Sequence, residues 1–223
     1  MNQTNSNKYE TDFELWKALK ENKEDALNII YKTHYQSLYN YGRKFANDDE
    51  FIRDMVQETF YDIIRLKNNL SDTDNIRFYL LRSLRNKIVK ELKKLVVREK
   101  YHLEIKKINF EPYFTVENSL IFKENRKSIR EKLANALNSL TERQKEAIYL
   151  KYYHNLDYEE ICEIMSINYQ SARTLIYKAI KDIKDNMEAF GLNNIFFYIY
   201  MSTFGEELSY NSKSKIMANY KSC

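Results

Sequence analysis

An all-α protein of two small helical domains joined by a linker, the C-terminal one a helix-turn-helix, is the architecture this sequence predicts. Three observations carry it. Glycine occurs three times and proline once, at Pro112, in 223 residues, too few for the turns a β-rich fold needs. Apolar residues recur at intervals of three and four through most of the chain, the period of a helix with one buried face. Small polar residues stand where several of these stretches begin, as helix N-caps do. With 43% hydrophobic and 14% aromatic residues, the chain has ample material for packed cores and is not a disordered polypeptide.

Residues 1–11 are polar and read as a flexible N-terminus. Asp12–Leu19 reads as a short helix with Phe13 and Trp16 as its apolar residues. From about Glu24 to Phe45, Leu27, Ile30, Tyr31, His34, Leu38, Tyr41 and Phe45 repeat with helical spacing. Asn47-Asp48-Asp49 marks a turn, and Glu50–Leu66 follows with Ile52, Met55, Val56, Phe60, Ile63 and Ile64. The connector NNLSDTDN leads into a helix from about Arg77 to Val97, striped by Leu81, Leu84, Ile88, Leu92 and Leu95. These elements make a first domain over 12–98. Residues 99–124 lose clean periodicity, hold the proline and read as a linker.

Helical pattern resumes near Glu124, and Thr141 with Gln144 has the spacing of a capping box. Helices over about 142–153, 157–165 and 169–187 complete a second domain, 125–187. Residues 188–223 form a C-terminal extension of unknown role, apolar in NIFFYIYM and rich in Ser, Lys and Asn beyond it. Packing on the second domain is the preferred reading of this extension. An autoinhibitory segment is the sharper alternative.

Several function classes are disfavoured. His34, His102 and His154 are scattered, and no metal-ligand cluster, nucleophile constellation or phosphate-cradling glycine loop occurs, so no enzyme, metal or cofactor is expected. Cys162 and Cys223 are too few for a disulfide framework, which points to a reduced compartment. The opening MNQTNSNKYETDFELWK lacks an apolar signal core. The longest strongly apolar run, Ile195–Met201, falls far short of the ~20 residues a membrane helix needs. A cytoplasmic protein without membrane insertion is therefore expected.

Two segments carry chemistry. In DYEEICEIMSINYQSARTLIYKAIKDIK, residues 157–184, Asp157 can cap a helix whose inward residues are Ile161, Ile164 and Met165. Ser166-Ile167-Asn168 makes a turn, with Ile167 plugging the core and Asn168 capping the next helix. There Ala172, Leu175 or Ile176, Ala179 and Ile183 can pack inward. Gln170, Ser171, Arg173, Thr174, Tyr177, Lys178 and Lys181 are left outside. Short polar residues at the leading end suit a major groove, where amides and hydroxyls read base edges, and the cations suit phosphates. The plainer reading is a surface helix with ordinary charges.

From Leu80 to Lys107 ten basic residues stand against three acidic ones. Phe78, Tyr79 and Asn86 near the start of that helix offer stacking surface and amide hydrogen bonds, the means of holding unstacked bases. A basic amphipathic helix that merely keeps the protein soluble stays open on residues alone. In the helix before it, Asp54, Gln57, Glu58 and Tyr61 share one face. An acidic and amide face repels phosphate and fits a basic protein surface better, with a solvated helix face as the alternative.

DMVQETF followed by FYLLRSLRNKIVKELKK resembles the second conserved region of bacterial sigma factors of the extracytoplasmic-function (ECF) group, and LTERQKEAIYLKYYHNLDYEEICEIMSINYQSARTLIYKAIKDI resembles the fourth. The likeness covers roughly residues 12–98 and 125–187. It implies a subunit that directs RNA polymerase core to promoters and helps melt DNA. Asp54, Val56, Gln57, Glu58 and Phe60 match the helix that docks on the polymerase clamp, and the flap of the other large subunit is a further implied contact. Asn68–Ile76 matches the loop that captures a flipped minus-ten base. Asn86 matches the Asn beside that pocket, with Asn75, Phe78, Tyr79, Arg82, Arg85 and Lys90 as the surrounding candidates. Gln170, Ser171, Arg173, Thr174, Tyr177 and Lys178 match the helix that reads the minus-thirty-five element, and Lys181 extends it. Leu175 and Ile180 stand where many relatives carry Arg, and Ser166 replaces the usual turn glycine. Many ECF relatives are held by an anti-sigma protein, which enters as a candidate partner. The alternative function is a helix-turn-helix regulator without the polymerase-docking role.

Overall fold

The computed structural model describes residues 9–98 and 135–188. The linker, the onset of the second domain before residue 135 and the extension after residue 188 lie outside the described residues. No strand occurs among the described residues, and the chain divides into two compact units.

In the first unit, helix α1 (Asp12–Lys20) starts where the Thr11 hydroxyl accepts from the Glu14 amide, with Asp12 and Glu14 in the first turn and Lys17 and Lys20 in the last. That charge order complements the helix dipole at both ends. Its buried residues are Leu15, Trp16, Ala18 and Leu19, while Phe13, which the apolar pattern included, is exposed. Asn22, at φ 62°, turns the chain out of the helix, a left-handed conformation that Asn tolerates better than most residues. Helix α2 (Glu24–Gly42) buries Ala26, Ile30, His34, Leu38 and Tyr41, one face of the helix. It stops at Gly42 rather than running to Phe45. Phe45 instead meets Tyr41 edge-on, at 5.2 Å between ring centres.

Helix α3 (Asp49–Leu66) is capped by Asp48, whose carboxylate accepts from the Phe51 amide. It buries Ile52, Met55, Val56, Thr59, Phe60 and Ile63. The Thr59 hydroxyl is satisfied within its own helix by donating to the Met55 carbonyl at 2.8 Å. Ile64, grouped with the apolar set by spacing, is exposed. After a short 3-10 turn (Lys67–Asn69), helix α4 (Ile76–Arg98) sends Ile76, Leu80, Leu81, Leu84 and Ile88 into the core. Helices α2, α3 and α4 pack against one another, and α1 packs on α2 and α4.

The second unit opens with helical residues 135–138, whose Ala136 and Leu137 are buried. Thr141 and Gln144 form the expected capping box at the start of helix α5 (Glu142–Ile148). The stretch read as one helix to residue 153 widens into a π turn over Tyr149–Tyr153. There Tyr149 and Tyr153 stack at 4.6 Å, and the Lys151 ammonium reaches the Leu156 carbonyl. Asp157 and Glu160 cap each other's amides at 2.7 and 2.9 Å before helix α6 (Tyr158–Met165). Ser166 takes the turn at φ 52°, the conformation that glycine adopts without steric cost. Ile167, expected in the core, is only half-buried. Asn168 accepts from the Ser171 amide at 2.8 Å and starts helix α7 (Tyr169–Glu188). Of the two inward candidates Leu175 and Ile176, it is Ile176 that is buried, with Ala172, Ala179 and Ile183.

Candidate nucleic-acid interface

On α3, Asp54, Gln57, Glu58 and Tyr61 are all exposed and share the face opposite Val56 and Phe60, which are core residues. Tyr61 is 62% exposed, and the Arg65 guanidinium lies 5.8 Å from its ring centre. The face is not a uniform negative patch. Lys87 of α4 lies 3.8 Å from Glu58 and pairs with Asp62. The hydrogen bond and charge of Lys87 hold the Asp62 carboxyl below its ordinary range. Lys87 thus ties α4 to α3 and is drawn away from the basic face on which the sequence alone would place it.

Along α4, Phe78, Arg82, Asn86 and Lys90 follow one another at intervals of four, a single row on the helix surface. Arg82, Asn86 and Lys90 are exposed and Phe78 is half-buried, with the Arg82 guanidinium 6.0 Å from the Phe78 ring centre. Arg85 is half-buried beside the row. Two of the candidates carry structural duties. Asn75 accepts from the Phe78 amide at 3.0 Å and so caps α4. The Tyr79 ring sits 4.9 Å from that of Trp16, and burial pushes its hydroxyl pKa up, so Tyr79 walls the core instead of standing free to stack.

The loop before α4 is tied down. Leu70 and Ile76 are buried at its two ends. The Thr73 hydroxyl accepts from the Asn75 amide and donates to the Asn75 carbonyl, each at 3.1 Å. Three side chains of α1 reach the loop. The Trp16 indole donates to the Ser71 carbonyl at 2.9 Å, Lys20 pairs with Asp72 at 2.5 Å, and Asp12 accepts from the Ile76 amide at 2.9 Å. Sequence reading missed these three residues. Their four-residue spacing was visible, but their partners lie more than fifty positions away.

On α7, Gln170, Arg173, Tyr177, Lys178 and Lys181 are exposed, and Ser171 and Thr174 are half-buried. The leading end is aromatic as well as polar. Tyr169 packs on Tyr158 at 5.6 Å, and Arg173 lies over the Tyr169 ring at 6.0 Å. Gln144 of α5 donates to Asp182 at 2.8 Å and fixes the far half of α7 against its own unit. No group of His, Cys, Asp or Glu among the described residues is arranged to hold a metal. No helix among them is long and apolar enough to cross a membrane.

Two family models match. Sigma-70 region 2 covers residues 30–96, the helices bearing the α3 face and the α4 row. Sigma-70, region 4 covers residues 130–183, the helix-turn-helix unit. The chain belongs to the sigma-70 family. It is an RNA polymerase sigma factor of the ECF group, as the two quoted segments implied. This sigma factor is 23% identical over 167 residues to RNA polymerase sigma factor YlaC of Bacillus subtilis (strain 168), across 73% of this chain and 92% of YlaC. Its fold is similar to CnrH, solved in complex with the cytosolic domain of CnrY, at TM-score 0.51 and 16% identity over 78% of this chain and 96% of that one. It is likewise similar to RpoE of Bartonella quintana, solved with the anti-sigma factor NepR, at TM-score 0.52 and 17% identity over 76% and 98% of the two chains.

Proposed function

We propose that this sigma factor recruits polymerase core through the exposed α3 face of Asp54, Gln57, Glu58 and Tyr61. The loop Asn68–Ile76 and the α4 row of Phe78, Arg82, Asn86 and Lys90 open the minus-ten element, and the polar leading end of α7 reads the minus-thirty-five element. The observation that carries this reading is the pairing, within one unit, of an outward acidic and amide face on α3 with an outward basic row on α4. The first suits a basic protein surface and the second a nucleic-acid strand. A regulator working through the helix-turn-helix alone has no use for the first unit, which is the part that matches region 2.

The protein acts by binding, with no catalytic step of its own, in the cytoplasm where polymerase and promoters are. The capture of CnrH by the cytosolic domain of CnrY and of RpoE by NepR supports an anti-sigma protein as a further partner. Exchanging Gln57 and Glu58, both exposed, for Lys turns the acidic and amide face basic. Core binding in pull-down is expected to be lost with helical circular dichroism unchanged. Holoenzyme formation at wild-type affinity by the double variant rejects the assignment.

A further inference from the structure

We infer that α1 holds the base-capture loop in shape. Asp12, Trp16 and Lys20, in one row along α1, fix residues 70–76 in the form that receives an extruded promoter base. The inference rests on the reading of this loop as the base-capturing element. An interval of four places the three side chains in line, and each takes a different part of the loop. Lys20 takes the Asp72 carboxylate, Trp16 the Ser71 carbonyl and Asp12 the Ile76 amide, which is also the first turn of α4.

The three contacts differ in kind. Trp16 is 1% exposed, so its indole is a rigid donor set by core packing, and its hydrogen bond defines where the Ser71 carbonyl lies. The same ring packs on Tyr79, so one side chain joins the loop to the helix bearing Phe78, Arg82 and Asn86. The Lys20–Asp72 pair is solvent-exposed, with side chains 27% and 67% accessible, and contributes little energy. Its effect is on charge. Asp72 and Asp74 stand beside a path meant for phosphates, and Lys20 neutralises the first of them. A loop already ordered by α1 spares the complex the conformational entropy of ordering it while a base is unstacked.

Holoenzyme assembled from full-length protein and bacterial core polymerase is presented with a random-sequence single-stranded DNA pool, and the captured strands are sequenced. Wild type is expected to enrich one base at a fixed position. Trp16→Phe keeps a buried ring and removes the indole donor, and should reduce that preference about tenfold with core affinity unchanged. Lys20→Asp, which leaves Asp72 unneutralised and adds a second carboxylate beside it, should reduce it, and adding Asp72→Lys to that variant should restore it, a rescue that a general loss of stability does not produce. Should Trp16→Phe lose its helical signal, the surface charge exchange carries the test alone. Unchanged preference in the single variants, or no restoration in the double exchange, overturns the role of α1. Absence of any preferred base with the wild type, together with no effect of Asn86→Ala, overturns instead the base-capture reading on which it stands.

Discussion

His34 is a buried ionisable residue of the first unit. It faces the core from α2 at 6% exposure. Burial first, and the Arg77 charge second, lower its pKa from 6.5 to about 4, with Asp12 acting in the opposite sense. The sign follows directly. Between these values the unfolded chain binds a proton that the folded chain refuses, so stability is full above about pH 6.5 and is lost as pH falls toward 4. The depression corresponds to about 3 kcal/mol at most. Urea unfolding at about pH 7 and about pH 4.5 should show this loss, and His34→Leu should remove most of it. A wild-type midpoint that holds steady across that range contradicts the assignment. Lys151 is a second group displaced by burial, its ammonium pKa lowered against the pull of Asp157, Glu160 and Glu159.

At the scale of elements, Gly42 of α2 lies directly against Ile52 of α3 and Ile88 of α4. A Cβ there would stand 2.8 Å from Ile52 Cγ2, with Ile88 Cδ1 at 3.5 Å. Two opposing effects meet in Gly42→Ala. Alanine is the better helix former by about 1 kcal/mol in a helix interior, less at a last helical residue. Overpacking against a branched side chain that cannot swing away costs about 1–3 kcal/mol. The clash wins, so Gly42→Ala should lower stability by about 1 kcal/mol, read as a shift in the denaturant midpoint at constant slope. An unchanged or raised midpoint means that the two helices slide apart without cost. The glycine is therefore explained by a neighbour and not by a turn.

For the whole molecule, the proposed division of labour between the two units predicts separable defects. Lys178 and Lys181 are exposed on α7 and are suited to phosphates rather than bases. Replacing both with Ala should weaken duplex binding by holoenzyme across sequences. It should also reduce the slope of log affinity against log salt by about 2, roughly 1 for each lost contact. Core affinity should be unaffected. The Gln57 and Glu58 exchanges should do the reverse, losing core while sparing duplex binding by free protein. If either pair of substitutions abolishes both activities, the separate assignment of the two faces is wrong.

The sequence by itself determined the all-α class, most helix bounds to within a few residues, the capping box at Thr141 and the caps at Asp157 and Asn168. All of these rest on spacing and short-range hydrogen bonds. The exposed faces of α3 and α7 were legible for the same reason, since a helix with one apolar side must turn its polar residues outward. Tertiary structure decided what local pattern leaves undetermined. It left Phe13, Tyr31 and Ile64 exposed despite apolar spacing, because neighbouring helices cover only part of each apolar stripe. It took Lys87 from the basic face to pair with Asp62 of α3, and it committed Asn75 to a cap and the half-buried Tyr79 to packing against Trp16. The hold of α1 on the loop belongs here too. Trp16 and Ser71 are 55 positions apart and Asp12 and Ile76 are 64 apart, and no periodicity links such residues. Only the packing of α1 on α2 and α4 brings that row of side chains to the loop.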